Sequence, residues 1–407
     1  MEDDEIFLFY SYLLLSALYV RLKRSKRCRR YAVRPINRLR KEKGLFDNLI
    51  QSMLQQDHEY FFKYTSMTLM QFHNLLQLVQ ARLQKNKTKN PLPPAHRLII
   101  TLHYLAEGCS MQELAYGHMV GLTTISCIIK ETTQVIWDVL QPMVLKQPTV
   151  EEWKAKERAF YRRWNLPNTL GAVDGKHVRI QSPKFSGTIV IMAASDAFYK
   201  FTLVDIGGAG SNHDATIFKS SAFGHQLINN QLPLPPPKCL SSTSKTVLPH
   251  FFVADAAFPL HTNIMRPYPG KHLSTEIKIF NYPQRWRIFQ RPIIAKIDTC
   301  ETIVMAAMVL HNYLQKSEED IPKEQRRYCP TGFVDIELPD GTWIPGSWRS
   351  NRPLQNVGRI GSNNTTQVSQ RNRDTLCEYV NSQEGSVSWQ EEYISRGLVP
   401  DTFAMNI

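Results

Sequence analysis

Two aspartates in this chain each follow a short apolar run, a position from which carboxylates can do metal chemistry. Asp174 follows the run 171–173, and Asp255 follows the run 251–254. Such runs predict buried strands, so each carboxylate is expected where a strand leaves a sheet. Hard divalent cations prefer oxygen ligands, and two carboxylates from distant parts of a chain can hold one jointly. Aspartates also follow strands as turn formers, and that alternative stays open for either residue alone.

Several further strings stand around these aspartates. They are GAVDGKHVRI at 171–180, the strand-like run 189–207, HDATIFKSSAFG at 213–224, FFVADAAFPL at 251–260, IMRPYPG at 264–270, RWRIFQRPI at 285–293 and MVLHNYL at 308–314. In this order and spacing they resemble the PIF/Harbinger family of DDE transposases and its domesticated nuclease relatives. The resemblance extends in weaker form over nearly the whole chain. It implies an RNase H-like sheet, three acidic ligands and two Mg²⁺ or Mn²⁺ ions that act on phosphodiesters.

The resemblance assigns roles residue by residue. Asp174 and Asp255 match the first two catalytic acids of the family and are its implied metal ligands. Asp214 matches a further metal-site acid, although an acid just before a helix is also explained as an N-cap. Lys176, His177 and Arg179, which follow the first acid, are expected to contact DNA phosphates.

Two pieces of the family pattern are absent. A short turn is missing after Thr188, which only shortens a hairpin connection. After Tyr282 the family continues into an Arg-rich helix with the third acid, a Glu, whereas this chain passes through Pro283 directly to RWRIF. Glu276 precedes this gap and does not match the family's Glu. Two explanations stay open: an exon skipped in this version of the sequence, or a copy that lost cleavage.

The function expected is therefore a transposase-derived, divalent-metal-dependent DNA endonuclease, impaired in this version of the sequence. The alternative is a catalytically inactive module that binds DNA or protein. The resemblance also implies a separate Myb-like DNA-binding protein as a partner. The oligomeric state and the DNA target sequence are not indicated.

The region 97–137 predicts a helix-turn-helix-like arrangement. Ser110 and Glu113 form a capping-box pattern, and a longer helix is expected to open at Thr123 or Thr124. Thr123, Thr124 and Lys130 are then expected to face DNA, while the isoleucines between them pack inward. Short helical trios also occur in cores without DNA, so spacing alone leaves both interpretations open.

Positive charge is concentrated near the N-terminus. The formal net charge is +13, and residues 21–43 alone carry twelve Lys or Arg and one Glu. This basic arm, with Arg24, Lys26, Arg27, Arg29 and Arg30 at its centre, is typical of nuclear-import signals and phosphate-binding segments. We therefore expect a nuclear protein. A merely solvated charged arm is the alternative.

The arm is preceded by an apolar stretch, 6–20, which is shorter than the roughly 20 residues that cross a bilayer. A helix packed on the fold, or a wrongly joined first exon, is expected rather than a membrane span. The seven cysteines form no CxxC pair, which argues for a reducing compartment and against structural zinc.

The fold class expected is α/β, with an RNase H-like catalytic domain and an N-terminal all-helical domain. The predicted units are the basic arm at 1–43, the helical domain at 44–150, the nuclease domain at 151–315, and a polar, partly disordered tail at 316–407.

Overall fold

A computed structural model describes most of the chain. The described residues are 2–23, 31, 33–85, 91–182, 185–209, 214–241, 246–255, 258–268, 293–328, 330, 336–337, 343–344, 366–387 and 390. The centre of the basic arm, 24–30, and the junction after Tyr282 lie outside them.

Helices make up the first part of the chain. They are α1 (Glu2–Lys23), α2 (Pro35–Arg38), α3 (Arg40–Lys43), α4 (Gln51–Gln55), α5 (His58–Thr65) and α6 (Leu69–Leu83), with a π-helical turn at Phe46–Ile50. The apolar stretch expected to pack on the fold lies in α1, and most of its described side chains, 9–19, are exposed. Among the described residues no helix is long and apolar enough to cross a membrane.

Four more helices follow: α7 (Pro94–Glu107), α8 (Met111–Gly117), α9 (Leu122–Val144) and α10 (Val150–Trp164). The capping box at the start of α8 is present, since Ser110 Oγ accepts from Glu113 N at 3.1 Å and Glu113 accepts from Ser110 N at 2.8 Å. The start of α9 lies at Leu122, and the helix continues beyond the predicted end at Trp137.

The strands are β1 (Thr169–Ser182), β2 (Phe185–Ser195), β3 (Phe201–Ala209), β4 (Lys238–Cys239), β5 (Val247–Leu248), β6 (Phe251–Ala254), β7 (Ile264–Met265), β8 (Ile293–Ile294), β9 (Ile336–Glu337) and β10 (Trp343–Ile344). The main sheet has the order β3-β2-β1-β6-β7, and β8 also pairs with β1. Strands β1 to β3 are antiparallel neighbours, whereas β6 and β8 run parallel to β1. This mixed α/β sheet is consistent with the RNase H-like expectation.

Four more helices complete the fold: α11 (Asp214–Ser220), α12 (Ala222–Ile228), α13 (Ile297–Ser317) and α14 (Gln367–Val380). One face of the sheet packs on α10, α11 and α12, in a cluster that includes Trp153, Phe218 and Phe223. The other face packs on α9 and α13, and that cluster extends to the helices of 46–105. The helices before residue 150 and the sheet therefore share a hydrophobic core; the predicted domain boundaries stay predictions.

The MVLHNYL string ties α13 to its neighbours. The Asn312 side chain accepts from Phe201 N at 2.8 Å and donates to Phe201 O at 2.7 Å and Val144 O at 2.9 Å. His311 Nε2 lies 2.8 Å from Tyr199 O, and burial lowers the pKa of its imidazole. Both side chains are thus part of the packing around the β2–β3 hairpin.

Helix α14 is an ordered element that the sequence analysis missed, inside the segment predicted as a tail. Leu376, Cys377 and Tyr379 pack on Phe251 and Val253 of β6. Its sequence is polar apart from these few residues, so no clear periodic pattern indicated a buried helix.

Candidate metal centre

Asp174 and Asp255 occupy adjacent positions on neighbouring strands. In the parallel pair β1–β6, Val173 lies opposite Ala254, and the two aspartates are the next residue on each strand. Asp174 is half-buried and Asp255, just past the end of β6, is exposed. The structure therefore brings together two residues that are 81 positions apart in the sequence.

Strand β1 continues beyond Asp174, whereas β6 ends at Ala254. The pairing of β1 with β6 stops at Val173, and its pairing with β8 begins at Ile180. Among the described strands, the intervening residues 174–179 pair only with β2. Asp174 stands at the start of this stretch.

Close packing holds β1 in place beside β6. A Cβ added to Gly171 would lie 2.8 Å from Ser195 O and 3.2 Å from the Phe252 ring. The backbones of β1 and β2 and the Phe252 ring therefore approach each other at a position only glycine fits. This contact lies three residues before Asp174 and fixes the strand that carries it.

The three residues predicted to contact phosphates extend along the same stretch. Lys176 and His177 are half-buried, and Arg179 is exposed. His177 Nδ1 lies 3.3 Å from Thr188 Oγ1 on the neighbouring strand β2, which positions its ring. Cationic and imidazole groups thus follow Asp174 along β1, and their contact with phosphates stays a prediction.

Asp214 is the first residue of α11, whereas the sequence analysis placed it just before a helix. Its side chain lies outside the described part of the structure. Helix α11 packs through Ile217 and Phe218 in the cluster that contains Val173. Because side chains alternate along a strand, Asp174 belongs to the opposite face from Val173. The role of Asp214 as a ligand stays a prediction.

Two arginines beside Asp255 were not found by sequence reasoning. Arg266 is buried and donates to Phe258 O at 3.1 Å, and the Arg373 guanidinium of α14 stacks 3.8 Å from the centre of the Tyr268 ring. Burial, and then the charge of Arg373, lower the pKa of Arg266. Positive charge is thus held close to the end of β6, and Arg266, inside the IMRPYPG string, was the visible signal.

The helix-turn-helix-like segment presents the residues expected to face DNA. Thr123, Thr124 and Lys130 on α9 are exposed, and Ile125, Ile128 and Ile129 are buried between α7, α8 and α9. Exposure is compatible with a DNA-facing surface. DNA contact by α9 stays a prediction.

Comparison with known protein families finds a match over the residues of the candidate site. Residues 173–283 match the family model of the DDE superfamily endonuclease. The matched segment begins one residue before Asp174 and includes Asp214 and Asp255. It covers most of β1, all of β6 and β7, and only part of the chain.

Two proteins of Arabidopsis thaliana are similar to the chain. One, named Protein ALP1-like, is 23% identical over 275 residues, covering 58% of this chain and 64% of that protein. The other, named Antagonist of Like Heterochromatin Protein 1, is 24% identical over 273 residues, covering 56% of this chain and 64% of that protein. The chain thus spans less than two thirds of either relative. No solved structure matches it.

Proposed function

We propose that this chain is a divalent-metal-dependent DNA endonuclease of the DDE type, with Asp174 and Asp255 as catalytic ligands, and that its cleavage is impaired. The observation that carries the proposal is the strand register, which sets Asp174 beside Asp255 at the point where β6 stops and β1 continues. The matched DDE superfamily endonuclease segment supports the same class, because such enzymes generally use divalent metals.

Asp174 and Asp255 supply part of the ligand set that a hard cation needs. Two carboxylates at adjacent register positions offer oxygen donors, the ligands that Mg²⁺ and Mn²⁺ prefer. A bound ion would supply Lewis acidity for attack of water or a 3′-hydroxyl on a phosphodiester. Neighbouring carboxylates repel each other, so their protonation is coupled and a cation favours the doubly ionised pair.

The protein's own side chains would bind and orient the DNA. Lys176 and Arg179 would bring positive charge to phosphates along β1. Phosphate oxygens accept charge-assisted hydrogen bonds from such groups, which are shorter and stronger than neutral ones. Removing Lys176 or Arg179 should therefore weaken DNA binding more than it changes the metal affinity.

Impairment follows from the missing acid. The chain lacks the family-like helix that would follow Tyr282, so an ion at this site loses one anionic ligand. Among the described residues no group of three or more His, Cys, Asp or Glu side chains is arranged to hold a metal. Asp214 would serve as a weaker third ligand at most.

A cleavage assay on a pair of proteins tests the proposal. The chain as it stands should show little Mg²⁺- or Mn²⁺-dependent cleavage of DNA. Inserting a family-like helix with its Glu between Tyr282 and Pro283 should restore cleavage, and Asp174→Ala in the restored protein should abolish it. Robust cleavage by the unrestored chain would overturn the impairment. A restored, folded protein without cleavage would overturn the endonuclease assignment.

The second candidate function is a catalytically inactive module that binds DNA or protein in the nucleus. It is favoured by the gap after Tyr282 and by a relative named as an antagonist of a heterochromatin protein. The exposed face of α9 would contact DNA, and a Myb-like protein would be its partner. Under this function, Asp174→Asn should leave DNA affinity unchanged in metal-free buffer, and the restored chain should not cut.

A further inference from the structure

A groove of about 510 Å³ lies between α10 and the turn that joins β2 to β3. It is lined by Ala155, Arg158, Ala159, Arg162, Arg163 and Phe198. Three of these six side chains are guanidinium groups and none is acidic. Ala155 and Ala159 have small side chains, so the surface of α10 between the arginines is left uncovered.

The positive charge of this groove is offset only in part, by the electrostatic interaction of Arg158 with Glu151. Among the described residues, Arg158, Arg162 and Arg163 form no ion pair, whereas the acids of α10 are paired elsewhere. Glu151 pairs with Lys154 at 2.8 Å, and Glu157 pairs with Lys238 at 2.7 Å. Arg158 and Arg162 stand one helical turn apart, and like charges at that spacing destabilise a helix slightly. An anionic ligand would relieve that repulsion.

An aromatic surface flanks the arginines. Phe198 is 50% exposed, and the Arg163 guanidinium lies 5.8 Å from its ring centre, 5.1 Å from that of Tyr199 and 5.4 Å from that of Trp164. Arg163 also donates to Tyr199 Oη at 3.3 Å. These contacts set the guanidinium against the rings and leave half of Phe198 open to solvent.

The turn that carries Phe198 is held rigidly against α10. Asp196 is buried and accepts from Phe198 N at 2.9 Å and from Lys200 N at 3.1 Å. Lys156 of α10 pairs with the same carboxylate at 3.0 Å. The ring and the arginines therefore keep a fixed relation, so a ligand meets a preorganised surface.

We propose that this groove binds single-stranded DNA, with Arg158 and Arg162 on successive phosphates and Phe198 stacking on a base. A basic groove that tracks the backbone beside an exposed ring is how proteins hold unpaired strands. An acidic protein segment would use the arginines but would gain little from the open ring. Duplex DNA would contact the arginines, but its stacked bases are closed to Phe198.

This inference rests on DNA as the proposed ligand but not on the metal chemistry. Ser195, the last residue of β2, pairs with Ala172, two residues before Asp174 on β1. The turn thus lies at the end of the sheet where β1 begins, away from the stretch 174–179. A strand held in the groove would be a second contact, distinct from the candidate metal centre.

Fluorescence anisotropy with a labelled oligo(dT) in metal-free buffer tests the groove. The full-length chain carrying Ala at Arg24, Lys26, Arg27, Arg29 and Arg30 serves as background, so that the arm does not mask the groove. In that background Arg158→Gln with Arg162→Gln should weaken binding about tenfold or more. Phe198→Ala should weaken it about fivefold or more, since stacking contributes about 1–3 kcal/mol per base.

Matched controls separate the groove from general charge. Lys63→Gln with Arg82→Gln removes two exposed cations elsewhere and should leave the affinity within twofold. An oligo(dT) carrying 5-iodouracil should crosslink to a peptide that contains Phe198. Both readouts are taken in metal-free buffer, so a failure of the metal site would not be read as a failure of the groove. Unchanged oligo(dT) affinity in the groove variants, or tighter binding of a poly-glutamate peptide with no effect of Phe198→Ala, would overturn the proposal.

Discussion

At the scale of single residues, the pairing of Asp174 with Asp255 depends on which residues precede them. Their preceding residues, Val173 and Ala254, are register partners in a buried parallel pair, so the aspartates meet where one strand stops. The apolar runs could be read from the sequence because buried strands are continuously hydrophobic. The register could not, since it depends on pairing between segments far apart in the chain.

The residue Gly171 makes this register testable. Replacing it with Ala should destabilise the protein by about 1–3 kcal/mol, because the new Cβ would stand 2.8 Å from a backbone oxygen that cannot move cheaply. Chemical unfolding monitored by circular dichroism measures the change. Gly121→Ala is the control, since a Cβ there meets only Thr124 Oγ1 at 3.6 Å. Equal stability of both variants would contradict the close approach of β1 to β2.

At the scale of elements, the strands and helices around the site follow from sequence patterns. The strand-like run 189–207 falls in β2, in β3 and in the turn that joins them. Helix α14 and the groove on α10 were missed. Both depend on contacts between distant segments: α14 on Tyr268, which donates to Asp374 at 2.6 Å, and the groove on the turn that carries Phe198.

The packing of α7 on α8 predicts a pH dependence. His96 Nε2 lies 3.0 Å from His118 Nδ1 in the core, and His96 stacks on Phe46 with ring centres 4.1 Å apart. Burial, followed by the neighbouring His118, lowers the pKa of His96 to about 2, and burial lowers that of His118 to about 4. Below pH 6.5 the unfolded chain binds protons on these two histidines, whereas the folded protein keeps them neutral. The pair's contribution to the free energy of unfolding is therefore complete above pH 6.5 and is lost as the pH drops towards 4.

Each proton taken up only on unfolding should cost about 1.4 kcal/mol per pH unit in that window. Urea unfolding at pH 7.5, 6 and 5 measures the slope. The double variant His96→Gln with His118→Gln should be less stable at pH 7.5 and should show a shallower slope, since His311 and other buried histidines still contribute. Exposed His73→Gln serves as the control. A wild type whose stability does not change between pH 7.5 and 5 would contradict a neutral buried pair.

At the scale of the whole molecule, charge is distributed in distinct places. Residues 21–43 of the basic arm carry +11, the α10 groove holds three arginines, and Arg266 with Arg373 lies near the end of β6. The charge of the basic arm could be read directly from the sequence. The other two need the fold, because their members come from separate segments of the chain.

The arm predicts a salt dependence that the rest of the chain does not share. Replacing Arg24, Lys26, Arg27, Arg29 and Arg30 with Ala should flatten the dependence of duplex affinity on salt by as much as about 4 in the log–log slope, through loss of counterion release. Anisotropy between 50 and 200 mM salt measures it. The same variant should accumulate less in the nucleus. An unchanged slope and unchanged localisation would leave the arm as a solvated segment.

The most direct test of the central claim is Mn²⁺ binding to the purified full-length chain, followed by the electron paramagnetic resonance of free Mn²⁺. If Asp174 and Asp255 share an ion, Asp174→Asn and Asp255→Asn should each weaken binding by about tenfold or more, since even outer-shell changes at metal sites cost 10–100-fold. Asp138→Asn, which alters an exposed acid on α9, should not change it. Equal Mn²⁺ affinity in the wild type and both site variants would contradict the metal centre at the β1–β6 edge.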